Sequence, residues 1–347
     1  MKATCTTQIA ITFLLLALVA CTDSRTPTKT QGSRLSRAVP QTITLVGNLS
    51  DNGNDISVYQ MLSIGTSIYL TGAGNSTPSL GFAKWDILAS PELPNVIFQT
   101  SQQIDSFGNE TDLKWRPDNF ASGALAIMGT SWAYMSGNAG MSVVDLSDGS
   151  HPKEKVRFPA ASKTEIEINR DINYVYKALV AHPSLPLLYG FKENDFQYTL
   201  AADGAKVKIL SKNPYKQAGE TVCCVTGATV FQNQIYVAFT HALWIFKLGS
   251  NGELAELTID DNFQATGITS TPDKLYILHQ PGNNVIGSSG VRNPAGIYVF
   301  DAIGDQANYL PIEPYVFTVS PNNMHLYANM DETSVAVYRI NWNQASR

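Results

Sequence analysis

Two adjacent cysteines, Cys223 and Cys224 in GETVCCVTG, are the residues of this 347-residue chain whose spacing most directly implies chemistry. Neighbouring Cα atoms lie about 3.8 Å apart across a trans peptide, below the roughly 4.4–6.8 Å usual for a disulfide. A vicinal disulfide between them would therefore be rigid and comparatively reducible, and just before an inner strand it would floor a ligand pocket. Two small buried thiols on a strand are the alternative. The histidines, His151, His182, His241, His279 and His325, offer no metal-ligand spacing. His182, beside Pro183, reads as a turn residue and His325 as strand packing, whereas His241 and His279 follow strands and would face a loop surface. Asp51 and Asp55 in SDNGND flank a glycine as in a calcium loop, but no later bidentate Glu completes one, so a polar turn is the simpler reading. There is no GxSxG elbow and no phosphate loop. No catalytic residue, metal ligand or cofactor is expected from these patterns. Binding residues are expected in two long irregular stretches, 101–122 and 280–295, where Trp115, Arg116 and Arg292 are of types favoured at hot spots. Solvated excursions without function are the competing account.

The elements that would position such groups follow from composition and repetition. Hydrophobic residues make up 44 % and charged residues 15 %, which excludes disorder and a coiled coil. The net charge of −5 leaves no general cationic footprint for nucleic acid. The run IAITFLLLALVA, from Ile9 to Ala20, is apolar and uncharged, too short to span a bilayer as a helix and of the length of a signal-peptide core. It ends in Leu18-Val19-Ala20-Cys21, which closely resembles the bacterial lipobox. That resemblance implies cleavage after residue 20 and acylation (a palmitate-type lipoprotein anchor) at Cys21, with Thr22 favouring the outer membrane. Residues 1–20 are then the signal peptide, 21–41 a flexible tether, and 42–347 the folded domain. Arg25, Lys29, Arg34 and Arg37 of the tether would lie near anionic headgroups or simply be solvated.

From Thr42 onward short alternating runs recur between Gly, Asn, Asp and Pro clusters, the pattern of an all-β chain. Six segments share an apolar strand, a tight turn and a second strand carrying a tyrosine: Tyr69, Tyr134, Tyr189, Tyr236, Tyr276 and Tyr327. Third strands such as MSVVDLSD and SVAVYRINW follow, and outer strands such as NVIFQT and LAELTI complete several units. Four strands every 40–65 residues is the period of a β-propeller blade. Six blades are expected, or seven if an irregular stretch hides one, with the tyrosines filling the wedges between blades. The last unit runs out after three strands, while TITLVGNL (residues 42–49) precedes the first complete unit. The N-terminal strand is therefore expected to close the ring and remove an open edge.

Phe317 to Ile340, FTVSPNNMHLYANMDETSVAVYRI, resembles the YVTN and lactonase-type propeller repeat, and Ala133 to Phe158 resembles the LVIVD repeat of bacterial envelope propellers. Those resemblances imply a fold more than an activity. Two functions follow as expectations. The first is a lipid-anchored cell-envelope binding or scaffolding module, meeting an envelope protein or a small ligand and no nucleic acid. The alternative is a lactonase-like hydrolase acting in the central funnel, which needs polar groups from several inner strands to converge.

Overall fold

The computed structural model describes residues 38–342 except 50–57, 73–79, 102–123, 138–139, 160–175, 193–195, 215–223, 241, 261–263, 281–293, 302–306 and 332–333. Among the described residues the regular elements are all β-strands. Ahead of the first blade stand β1 (Val39–Pro40) and β2 (Thr42–Leu49). Blade 1 is β3 (Val58–Ile64), β4 (Ser67–Gly72), β5 (Leu80–Asp86) and β6 (Asn95–Ser101). Blade 2 is β7 (Ala124–Met128), β8 (Trp132–Gly137), β9 (Gly140–Asp145) and β10 (Lys153–Pro159). Blade 3 is β11 (Ala178–Ala181), β12 (Leu187–Phe191), β13 (Phe196–Asp203) and β14 (Lys206–Pro214). Blade 4 is β15 (Val225–Phe231), β16 (Gln234–Phe239), β17 (Ala242–Leu248) and β18 (Leu254–Asp260). Blade 5 is β19 (Ala265–Ser270), β20 (Lys274–His279), β21 (Gly296–Asp301) and β22 (Ala307–Leu310). Blade 6 holds β23 (Val316–Val319), β24 (His325–Asn329) and β25 (Val335–Asn341).

Each blade is an antiparallel meander, strand one innermost and strand four outermost. The inner strands touch in the order β3, β7, β11, β15, β19, β23 and back to β3, so the sheets form a six-bladed propeller. Sheet twist makes each blade a wedge whose two faces must both be covered. The buried apolar residues accordingly divide into six clusters, each lying between consecutive blades. Tyr327 of blade 6, for example, packs with Ile68, Leu70 and Trp85 of blade 1.

The ring closes as the strand arithmetic requires. β2 pairs antiparallel with β25, from Thr42 opposite Asn341 to Leu49 opposite Val335, and supplies the outer strand of blade 6. The ordered chain starts a little earlier than residue 42. Val39 and Pro40, inside the stretch read as tether, pair parallel with Asn308 and Tyr309 as a fifth strand on blade 5. Pro40 is tolerated there because an edge strand does not require every N–H. Gln41 fixes the step between blades: its N–H donates to Tyr309 O at 2.7 Å and its side-chain amide to Asn308 Oδ1 at 2.8 Å. One short segment therefore ties two blades together.

The meander sets two faces. Connections from strand two to three, and from one blade to the next, open on an upper face. The turns from strand one to two, and from three to four, lie on the lower face.

Candidate functional site: the upper mouth of the channel

The inner strands surround a central channel with a cavity at each end. The upper one, about 210 Å³, is lined by the first residues of inner strands from several blades, among them Tyr59, Gln60, Lys177, Thr226, Thr266 and Tyr315. The lower one, about 190 Å³, is lined by the last residues of such strands, including Ser63, Ile127, Ala181, Val230 and Ser270.

Three β-bulges shape the upper mouth. The register shifts between Val58 and Gln60 in β3, between Val225 and Gly227 in β15, and between Ala265 and Gly267 in β19. The residues left over are Tyr59, Thr226 and Thr266, and all three line the upper cavity. A bulge inserts one unpaired residue, so the same local device in three blades places Tyr59, Thr226 and Thr266 on the wall of one cavity. The glycines after the two threonines permit the tight packing this requires. A Cβ on Gly227 would come 3.3 Å from Ile268 Cγ2, and one on Gly267 would come 3.3 Å from Phe317 Cε1.

Some polar groups of the inner ring hold blades together. Gln60 of blade 1 accepts from Leu125 N at 2.5 Å and donates to Leu125 O at 3.4 Å in blade 2. Thr226 Oγ1 donates to Ala265 O at 2.7 Å, bridging blades 4 and 5, and Thr229 and Ser270 share a hydroxyl contact at 2.7 Å. Thr266 Oγ1 and Ser63 Oγ are buried with no hydrogen-bond partner among the described residues. At the rim, Tyr315 is 71 % and Tyr59 37 % exposed, and they present broad aromatic surfaces beside the Lys177 side chain.

The sequence candidates fall variously. Cys224 is disulfide-bonded and stands at a φ of 66°, directly before the Val225 and Thr226 that line the cavity. Cys21, Cys223, Trp115, Arg116, Arg292, His241, Asp51 and Asp55 lie outside the described residues. The described ends of both long stretches, at Ser101 and Ala124 and at Gln280 and Pro294, open on the upper face, the side of the larger cavity. His182 makes a turn, its Nδ1 accepting from Ser184 N and Leu185 N at 3.0 Å each. His325 packs near Glu92, with Nε2 3.8 Å from its carboxylate. His279, expected at a loop surface, is instead 3 % exposed. Its Nδ1 accepts from Gln264 N at 3.2 Å and its ring meets Tyr298 edge-on, and desolvation pulls its pKa down to about 4. Its burial follows from strand two being covered on both sides by neighbouring blades. His151 is exposed beside Asp148.

Sequence reasoning missed Tyr59, Thr226, Thr266, Lys177 and Tyr315. A faint signal exists for two of them: the pair Thr226-Gly227 recurs as Thr266-Gly267 in the next repeat. Nothing comparable marks Tyr59, because a bulge is a property of strand pairing.

No protein-family model matches the sequence, and no curated protein matches it. Solved structures show likeness in shape at low identity. A candidate 6-phosphogluconolactonase from Bacteroides uniformis is 14 % identical with a TM-score of 0.49, over 85 % of this chain and 83 % of that one. A chain of the mitotic checkpoint complex is 9 % identical with a TM-score of 0.47, over 88 % and 93 %. The WD40 domain of Pan2 from Neurospora crassa is 12 % identical with a TM-score of 0.44, over 83 % and 76 %.

Proposed function

We propose that this chain is a lipid-anchored cell-envelope module that binds a small polar ligand in the upper mouth of its propeller channel. The observation that carries the reading is that three bulges, in blades 1, 4 and 5, place Tyr59, Thr226 and Thr266 on the lining of one cavity. At about 210 Å³ the cavity is smaller than the roughly 300–1,000 Å³ of drug-sized sites. It suits a molecule of monosaccharide size. Phenol rings to cover C–H faces and the Lys177 ammonium to meet an anion together fit a sugar acid. The described lining includes Lys177, Tyr59 and Tyr315 and no carboxylate or histidine. The partner of Cys224 is Cys223, and their vicinal disulfide stiffens the wall of the mouth. Acylation at Cys21 holds the domain to the outer membrane.

The test is a thermal-shift and calorimetric titration of the Cys21→Ser protein with neutral sugars, sugar acids and their lactones. At least one ligand should raise Tm, and Tyr59→Ala and Lys177→Met should remove that shift without lowering the ligand-free Tm by more than about 2 °C. No shift with any ligand would refute the site, and lactone consumption in the same samples would replace binding with hydrolysis. A non-reduced peptide spanning residues 213–230 should show no free thiol. Cys21 is checked separately by fractionation, in which Cys21→Ser should leave the membrane.

A further inference from the structure

Blades 4 and 5 enter the channel mouth by matching runs, Cys224-Val225-Thr226-Gly227 and Gln264-Ala265-Thr266-Gly267. In each run the register shifts between the second and the fourth residue. In each the carbonyl of the first residue accepts a backbone N–H from just past the second strand: Thr240 N donates to Cys224 O at 3.3 Å and Gln280 N to Gln264 O at 3.1 Å. The backbone differs at the first residue. Cys224 stands at a φ of 66°, whereas Gln264, at the same place in blade 5, has no positive φ. An L-residue with a Cβ avoids that region unless its surroundings hold it there. The bulge is not what holds Cys224, because blade 5 makes the same bulge without it. What distinguishes Cys224 is its disulfide bond.

We infer that this disulfide is a redox control on the mouth: oxidised, it holds the start of β15 in place, and its reduction loosens that wall and weakens ligand binding. The inference rests on the binding role proposed for the mouth and on the pairing of Cys224 with Cys223. A disulfide between neighbours closes a small covalent ring through the peptide that joins them, so it restricts the Cys224 φ directly. The effect reaches the cavity two residues on. Thr226 lines the cavity, and its Oγ1 donates to Ala265 O of blade 5 at 2.7 Å and lies 3.2 Å from Ala238 O of its own hairpin. The order of the inner strands sets blade 4 across the ring from blade 1, so the placement of β15 sets the gap between Thr226 and Tyr59. Cys224 is partly exposed, which opens its sulfur to an external thiol. The reaction is exchange with a dithiol reductant. One thiolate of the reductant attacks a sulfur of the pair, the S–S bond breaks, and the departing thiolate takes a proton. The second thiol of the reductant then displaces the mixed disulfide. Two electrons and two protons end on Cys223 and Cys224, and the reductant leaves as its own disulfide. With the ring opened, Cys224 returns to negative φ, as at Gln264.

The test uses the chain from residue 21 onward with Cys21→Ser, which leaves Cys223 and Cys224 as its cysteines, so a thiol count reads the state of the pair. Amide exchange is followed by NMR with and without dithiothreitol, and D-glucuronate is titrated calorimetrically in both states. Reduction should speed exchange at Thr240, whose N–H donates to Cys224 O, by about tenfold, and leave Gln280 of blade 5 unchanged. It should weaken glucuronate binding by a similar factor. Cys223→Ser/Cys224→Ser should match the reduced protein and ignore dithiothreitol. If two thiols appear and exchange at Thr240 and glucuronate affinity are both unchanged, the redox control is wrong while the binding site stands. Faster exchange at Thr240 with equal glucuronate affinity also overturns it, as does a folded protein in which dithiothreitol frees no thiol. If glucuronate binds in neither state, the binding reading fails, and exchange at Thr240 alone decides whether the disulfide holds β15.

Discussion

At the scale of single residues, the tyrosines of the second strands do more than fill wedges. Tyr134 donates to Gly204 O at 3.0 Å, Tyr189 to Gly252 O at 2.9 Å and Tyr327 to Pro91 O at 2.7 Å. In each case the acceptor lies in the turn between strands three and four of the following blade. The phenol thus latches one wedge to the next, and burial raises its pKa, to about 12 for Tyr134 and Tyr189, so it remains a donor at any ordinary pH. The acceptor turn must come close, which explains two glycines. Gly204 and Gly252 have φ of 58° and 82°, and a Cβ would strike Trp132 and Leu187 of the preceding blade. Tyr276 shows the rule by departing from it. Blade 6 has no turn between strands three and four, because β25 and β2 are not consecutive in the chain. Tyr276 therefore donates to the side chain of Asn323 at 2.7 Å, which also accepts from Thr271 and donates to Asp273. Each of Tyr134→Phe, Tyr189→Phe and Tyr327→Phe should cost about 1 kcal/mol in urea unfolding. Gly252→Ala should cost more, about 2–4 kcal/mol, because strain and overlap add. If Tyr→Phe costs nothing at all three positions, the latches are geometry without energy.

His279 gives a pH prediction at the same scale. Its folded pKa of about 4 lies below the ordinary 6.5 because the ring is desolvated. Between those values the unfolded chain binds a proton that the folded one refuses, so stability is complete above pH 6.5 and falls as pH drops toward 4. The loss is on the order of 2–3 kcal/mol for this group. His182 and His325 are shifted down by the same cause and add to the slope. Melting curves from pH 7 to 4 should show this decline, and His279→Gln should flatten it. An unchanged slope in the variant would assign the acid sensitivity elsewhere.

At the scale of elements, the closing strand is the part of the architecture that was most legible. TITLVGNL alternates, it precedes a complete unit, and the last unit lacks a strand, so its partner could be named from counting alone. The six tyrosines were legible for the same reason, since a repeated aromatic at one register packs between blades, even though the hydroxyl partners differ: Tyr236 donates to Gln234 of its own strand. The mouth of the channel was not. Its residues come from blades far apart in sequence, and Tyr59, Thr226 and Thr266 reach it through bulges that depend on the partner strand. The Val39–Pro40 strand was also hidden, because two residues carry no period. The element-scale prediction concerns β2. Removing residues 38–49 exposes the edge of β25 and deletes Leu49, Ile43 and Val46 from the clusters on both sides of blade 6, leaving their apolar neighbours uncovered. The truncated chain should aggregate or lose its single unfolding transition, and a synthetic peptide of residues 38–49 should restore solubility by adding the strand in trans. A truncated protein that stays monomeric and melts like the parent would mean that closure contributes little.

At the scale of the whole molecule, the question is whether the ring is held by its seam or by its wedges. Six apolar clusters of similar kind lie between the blades, which suggests that packing alone closes the circle. Yet the N-terminal segment ties two blades: among the described residues, 38–41 bind blade 5 and 42–49 complete blade 6. A circular permutant separates the two effects. Asn341 and Thr42 are paired opposite each other, so a short turn can join β25 to β2 and give blade 6 the ordinary order of strands. New ends opened within 102–123 then fall between blades 1 and 2, leaving every blade continuous and the ring held at that point by side-chain packing only. The permutant should fold to the same six blades, because each four-stranded sheet keeps its partners, but it loses β1 from blade 5 and should unfold at a lower temperature. A single seam strand of eight residues supplies long-range contacts that the wedge interface must now replace. The loss should concentrate at the cluster of Tyr69, Phe82, Leu125 and Ala133, where amide exchange should speed up relative to the wild type. An equal melting temperature and equal exchange there would show that the wedges suffice and that the shared blade sets where the chain starts rather than how firmly the ring is shut.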